Sequence, residues 1–202
     1  VMASRITIEI VIILALILLN GILALSEIAI VSARRARLQT RANQGDLGAQ
    51  AALELSQHPT GFLSTVQVGI TLVGVLAGAF GGATIAEQLA GWITQVSWLA
   101  PYSEALAVTI VVLSITYLSL IFGELAPKRL ALNDPEKVAA AVARPMQTLA
   151  RISSPFVRLL TLSTDGVLKL LRVKPGNEPP VTEDEIKLMI EQGKQAGVFI
   201  EA

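Results

Sequence analysis

The chain has 202 residues, 52% of them hydrophobic and only 16% charged, with a mean hydropathy of +0.61. A soluble domain of ordinary makeup is about 25% charged, so this composition excludes one and points to an all-α integral membrane protein. Sixteen basic residues balance sixteen acidic ones, which argues against nucleic acid held on a general basic surface. The absence of cysteine removes disulfides and thiolate metal sites, and the single histidine, His58, lies in a polar connection, so soft-metal chemistry has no ligands here.

The first apolar segment covers residues 6 to 32 and is interrupted by Glu9, Asn20, Gly21, Ser26 and Glu27. It lacks a small-residue cleavage pattern and its flanking positive charges follow it, so it is expected to be a membrane span rather than a removable leader. Arg34, Arg35, Arg37 and Arg41 come next, in a segment from 33 to 56. That segment predicts one or two amphipathic surface helices, broken near Gly45 or Gly48 and ending before His58-Pro59.

A second apolar run extends from Gly61 to about Ala86, with Ser64, Thr65, Gln67 and Thr71 in its first half. Gly74, Gly78 and Gly82 recur every four residues on one helix face, which predicts a packing seam and a plausible dimer contact. Residues 87 to 104 are expected to form a loop or short helix. Their Trp92, Trp98 and Tyr102 suit a membrane interface.

The third span is predicted over 104 to 124. From Ala105 to Phe122 eighteen residues carry no formal charge, enough to cross a bilayer, and the run closes on Gly123-Glu124-Leu125-Ala126-Pro127-Lys128. A proline inside a helix cannot donate to the carbonyl four residues earlier, so Pro127 is expected to end the span and to free the Gly123 carbonyl beside the Glu124 carboxylate. Two hard oxygens together at membrane depth suit a hard cation.

Arg144, Arg151 and Arg158 then recur every seven residues. A span would carry at least one of them near the bilayer centre at roughly 2.5 to 3.5 kcal/mol on insertion scales. Residues 136 to 172 are therefore read as surface helices kinked by Pro145 and Pro155. The polar stretch 174–202 reads as a cytoplasmic linker with a helix start at Thr182, Glu185 standing at the third helical position. The arginines after the first span, Lys128 and Arg129 after the third, and the absence of Lys and Arg from 87 to 104 predict an outside N-terminus and a cytoplasmic C-terminal portion. Descending, ascending and descending helices would then bring Ser26 and Glu27, Ser64, Thr65 and Gln67, and Gly123 and Glu124 into one layer. That set offers only oxygens, and magnesium or calcium suits it.

Four ordered motifs carry a family resemblance: Leu25-Ser26-Glu27, Gln67-Val68-Gly69-Ile70-Thr71-Leu72, Phe122 to Lys128, and Thr182-Glu183-Asp184-Glu185 with Ala196-Gly197-Val198. Together they resemble the transmembrane domain of the CorC and cyclin M (CNNM) magnesium transporters over nearly the whole chain. The resemblance implies a homodimer of three-span subunits with a juxtamembrane helical belt in the inner (plasma) membrane, exporting Mg2+ against Na+. It maps the ion site onto Ser26, a hydroxyl at Ser64 or Thr65, the Gly123 carbonyl and the Glu124 carboxylate. Glu27, Gln67, Asn20 and Lys128 are candidate counter-ions or supporting groups. Cyclin M relatives carry asparagines where this chain has Ile70 and Gly74, leaving Gln67 or water to supply that oxygen. In the family a pair of ATP-binding CBS domains follows the linker, so the chain is read as the membrane portion of a longer protein.

Plainer uses of the same residues are clear. Ser26, Ser64 and Thr65 can each bond the preceding turn of their own helix, and Glu124 can pair with Lys128 one turn on. The alternative to a transporter is a membrane Mg2+ sensor or scaffold that signals to a cytoplasmic domain. An enzyme is the remotest reading, with no nucleophile and base pair or phosphate loop in view.

Overall fold

A computed structural model describes residues 2–81 and 85–171, with side chains from Ile6 onward. Among the described residues the protein is all helix and turn, with no strand. Its elements are α1 (Met2–Ser32), α2 (Arg35–Asn43), α3 (Leu47–Gln57), α4 (Pro59–Phe80), α5 (Ala86–Ile93), a 3-10 turn (Ala100–Tyr102), α6 (Ser103–Leu120), a π-helical turn (Ile121–Leu125), α7 (Ala126–Asn133) and α8 (Pro135–Leu170). Residues 1–159 form one compact unit; those from Leu160 onward belong to a second, described only as the last turns of α8 and Leu171. The linker 174–202, its expected cap at Thr182, and Gly82 lie outside the described residues.

Among the described residues three stretches are long and apolar enough to cross a membrane: Ile6–Ser32, Pro59–Phe80 and Ala100–Asn133. At 1.5 Å per residue the 22 residues of the second reach about 33 Å, matching a hydrocarbon core of about 30 Å. The protein is thus an all-α membrane protein, with three such helices among the described residues.

The third of them corrects one sequence expectation. Pro127 does not end the helix, which runs on to Asn133 and stops before Pro135. The chain absorbs the proline by widening one turn: Ile121–Leu125 is π-helical, and the Ala126 N–H donates to the Ile121 carbonyl five residues back. Pro127 then occupies the second position of α7, where a missing N–H costs little.

The predicted amphipathic stretch is two helices. Gly45 separates α2 from α3 at φ 89°, a left-handed conformation that glycine adopts without Cβ strain. Asp46 caps α3: its Oδ1 accepts from the N–H groups of Gly48 (2.9 Å) and Ala49 (3.0 Å), and its Oδ2 from Arg41 Nη2 (2.7 Å). The Ala49 N–H, then the Arg41 guanidinium, hold this carboxyl below its usual range. A carboxylate held lower in the folded state stabilises above the unfolded value, and that help fades as pH falls through the folded one. The melting temperature in detergent should therefore drop as pH is taken below about 4, and Asp46→Ala should flatten the part of that drop owed to this cap.

The connection between the second and third spans is helical at both ends, as α5 and the 3-10 turn. The segment read as several kinked surface helices is instead one helix, α8, with Pro145 and Pro155 inside it. α8 buries Ala139, Ala140, Ala143 and Met146, while Arg144, Arg151 and Arg158 are exposed. A Cβ at Gly48 would collide with the Ala140 carbonyl, so glycine allows α3 and α8 to meet backbone to backbone. At the start of α8, buried Glu136 accepts from the Arg34 N–H (3.2 Å) and pairs with Arg37 (3.6 Å). One carboxylate thereby ties α8 to the junction of α1 and α2.

Candidate functional site

At the π-helical turn α1 and the third span meet backbone to backbone. A Cβ at Gly21 would lie 2.7 Å from the Phe122 carbonyl oxygen and 3.0 Å from Pro127 Cγ. Only a glycine lets the two backbones approach this far. Gly21→Ala should push α1 off the turn and destabilise the fold by about 1–3 kcal/mol, the usual cost of overpacking, visible as a lower melting temperature in detergent.

One residue earlier, Asn20 reaches across and its Nδ2 donates to the Gly123 carbonyl at 3.0 Å. In an uninterrupted α-helix that carbonyl would accept from position 127, where proline has no hydrogen to give. The release of the Gly123 carbonyl read from Pro127 has therefore a specific recipient, the α1 amide. The other end of that amide is unusual: Asn20 Oδ1 is buried and makes no hydrogen bond. Gly123 itself is buried.

Glu124 is the next residue. Its Oε1 accepts from Lys128 Nζ at 2.8 Å, and the same ammonium stands 3.9 Å from Glu27 Oε2 on α1. A cavity of about 260 Å³ opens beside it, lined by Asn20, Glu124, Gly74 and Gly78, the hydroxyl-bearing Thr116 and Ser119, and apolar Val112, Ile115 and Leu120. All three spans contribute to its wall.

Among the described residues the glycine face of α4 packs against no neighbouring helix at Gly74 or Gly78. A Cβ at Gly74 or Gly78 would meet nothing within 4 Å, so within this chain the two glycines are not a packed seam. Their missing side chains are part of what leaves the cavity open.

The predicted site residues separate into two groups. Asn20, Gly123, Glu124, Lys128 and Glu27 come together around the π turn. Ser26 and Thr65 are both buried, and each hydroxyl bonds its own helix, Ser26 Oγ to the Ile22 carbonyl (2.6 Å) and Thr65 Oγ1 to the Gly61 carbonyl (2.9 Å). Neither they nor Ser64 and Gln67 line the cavity. Each hydroxyl oxygen that donates backward keeps lone pairs for accepting. Among the described residues no group of three or more His, Cys, Asp and Glu could hold a metal. A cation bound at this break would meet a carboxylate, a backbone carbonyl, hydroxyls and water, a donor set for hard ions.

Thr116 and Ser119 were missed in the sequence. Their spacing offered the signal, since positions 116, 119 and 123 share a helical face with the carbonyl at the break.

Three apolar spans, the third widened around a Gly-Glu-x-x-Pro motif and the first packed against that widening, define a helical membrane domain built around a polar break. Residues 11–202 match the family model of the cyclin M transmembrane N-terminal domain, and the chain belongs to this family. It is 49% identical over 200 residues to a UPF0053 protein of Synechocystis sp., covering 99% of this chain and 45% of that one. The polyamine export protein of Haemophilus influenzae is 32% identical over 190 residues, covering 93% of this chain and 43% of its own length. The polyamine export protein of Escherichia coli K12 is 27% identical over 191 residues, covering 95% and 42% respectively. The chain thus spans less than half the length of these relatives.

Proposed function

We propose that this domain is the membrane part of a cation exporter that carries Mg2+ past Glu124, with Na+ as the counter-ion. The observation that carries the reading is Glu124 at the π turn, among the residues that line a cavity walled by all three spans. An ionisable side chain among membrane spans is costly, and residues kept there despite that cost commonly mark an ion path. The Gly123 carbonyl, one residue away, keeps a second lone pair beyond the one Asn20 engages. Ser26 and a hydroxyl of Ser64 or Thr65 complete the proposed ligand set in another conformation of the transport cycle. The exporter works as a homodimer in the plasma membrane, with its N-terminus outside and its C-terminal portion in the cytoplasm.

A second reading has its own support. Two of the relatives above are named polyamine export proteins, and the cavity combines one carboxylate with apolar walls at Val112, Ile115 and Leu120. An alkylammonium needs that pairing: a charge partner for its end and apolar surface for its methylenes.

Flux from proteoliposomes separates these readings. Vesicles carrying the intact chain or Glu124→Ala are loaded with a Mg2+ indicator, and separately with radiolabelled spermidine. Mg2+ flux that falls at least about tenfold in Glu124→Ala, in line with losing a charged partner, supports the exporter. Flux of spermidine alone transfers the role to polyamines. Equal leak in both proteins, with Mg2+ still bound by the intact chain, makes the domain a sensor and overturns transport.

A further inference from the structure

Lys128 lies one helical turn beyond Glu124 and could be taken for an ordinary surface ion pair of the kind that adds little to a helix. Its surroundings say otherwise. The ammonium is shared between two carboxylates from different helices, Glu124 at 2.8 Å and Glu27 of α1 at 3.9 Å. None of the three side chains is free in solvent: Lys128 is 29% exposed, Glu27 25% and Glu124 42%. Glu124 also lines the cavity between the spans, so the ammonium is already bound to the acid that an incoming cation would seek. Two acids and one base leave this trio one negative charge. A second cation at Glu124 repels the ammonium, and the four-carbon tether of lysine lets it move. About 1 Å of travel would bring Nζ from 3.9 Å to hydrogen-bonding distance of Glu27.

We propose that Lys128 is the resident counter-cation of Glu124, displaced by each transported cation and received by Glu27. The inference rests on the reading that Glu124 binds the cargo. It gives the domain a means of keeping a cation on Glu124 at every stage. With no cargo, Lys128 neutralises Glu124; with cargo bound, Lys128 neutralises Glu27. It also sets the apparent affinity, because cargo binds only the fraction of sites from which the lysine has withdrawn.

Calorimetric titration of the purified full chain in detergent, with MgCl2, NaCl and spermidine in turn, tests the exchange. Lys128→Gln removes the competitor and should tighten binding of whichever cation binds by about tenfold or more. Lys128→Arg keeps the charge, checks that the position tolerates change, and should bind no more tightly than the intact chain. Glu27→Gln removes the receiver and should weaken binding several-fold. In the Lys128→Gln background, Glu27→Gln should change affinity by less than about twofold, since Glu27 acts through the lysine; a simple field effect would weaken binding equally in both backgrounds.

If a cation binds the intact chain and Lys128→Gln binds it equally or more weakly, the exchange is wrong. The transport reading then survives, provided that Glu124→Gln abolishes binding. If Glu124→Gln binds as well as the intact chain, or if no cation binds the intact chain or Lys128→Gln, both ideas fall. If spermidine binds and Mg2+ does not, the cargo assignment changes and the lysine is judged on the spermidine curves.

Discussion

Gly74→Leu and Gly78→Leu are expected to stop transport without unfolding the protein. Each glycine lines the cavity beside Glu124, and a Cβ at either position would meet nothing within 4 Å. A Cβ is therefore accommodated without a backbone shift, and the longer side chain is expected to extend into the cavity. Leucine would occupy much of a cavity of about 260 Å³, and flux should fall at least about tenfold, or 1.4 kcal/mol on the barrier. Alanine is the sharper control, because replacing a mid-helix glycine gains roughly 0.5–1 kcal/mol. Gly78→Ala should melt at a slightly higher temperature and transport less. Flux in proteoliposomes read beside melting in detergent distinguishes this result from a packed seam, where both quantities would fall together.

Asn20→Leu should be among the more destabilising single changes near the break. It keeps approximate volume but removes the donor to the Gly123 carbonyl, whose i+4 nitrogen belongs to Pro127. A buried carbonyl left without its partner costs about 1–3 kcal/mol, although interhelical hydrogen bonds in membranes average nearer 0.6 kcal/mol. The proline argues for the upper range, so a loss of about 2 kcal/mol, or roughly 4–8 °C in melting temperature for a chain of this size, is expected. Asn20→Asp should be worse. It sets an acceptor opposite an acceptor where the structure has a bond of 3.0 Å, and adds negative charge near Glu124. A melting temperature unchanged in both variants would show that the amide does not hold the π turn.

Much of this architecture was legible in the residues themselves. Length and the absence of charge located the three spans, and of the two glycines offered as the break, Gly45 and Gly48, the first separates α2 from α3. What the sequence could not show was the outcome of competition between neighbours. Pro127 read correctly as a disturbance, yet whether a proline stops a helix or widens one turn depends on what packs beside it. Here Gly21 and Asn20, a hundred residues earlier, supply the space and the hydrogen bond. Pro145 and Pro155 likewise fail to divide α8, a helix that buries an alanine face.

The glycine repeat carries a similar lesson. A four-residue period identifies a face of α4 but not its occupant, and a packed seam and an open cavity have the same spacing. Hydroxyls were ambiguous for a related reason: Ser26 and Thr65 satisfy their donors within their own helices, a local option that any serine or threonine in a helix possesses. Asn20 was visible as an interruption of an apolar run and a candidate supporting group, but not as the partner of the Gly123 carbonyl. Its importance came from the partner across the interface, which a pattern along one strand of sequence does not reveal.

The Glu136 carboxylate, finally, has a mechanical corollary. It grips the Arg34 backbone amide, just past α1, and a side chain of α2 while standing in the opening turn of α8. The end of α1 therefore cannot rock in the bilayer without dragging the root of the arginine-bearing helix along. Force applied at either place has a short, stiff linkage to the other, and Glu136→Ala would uncouple the two.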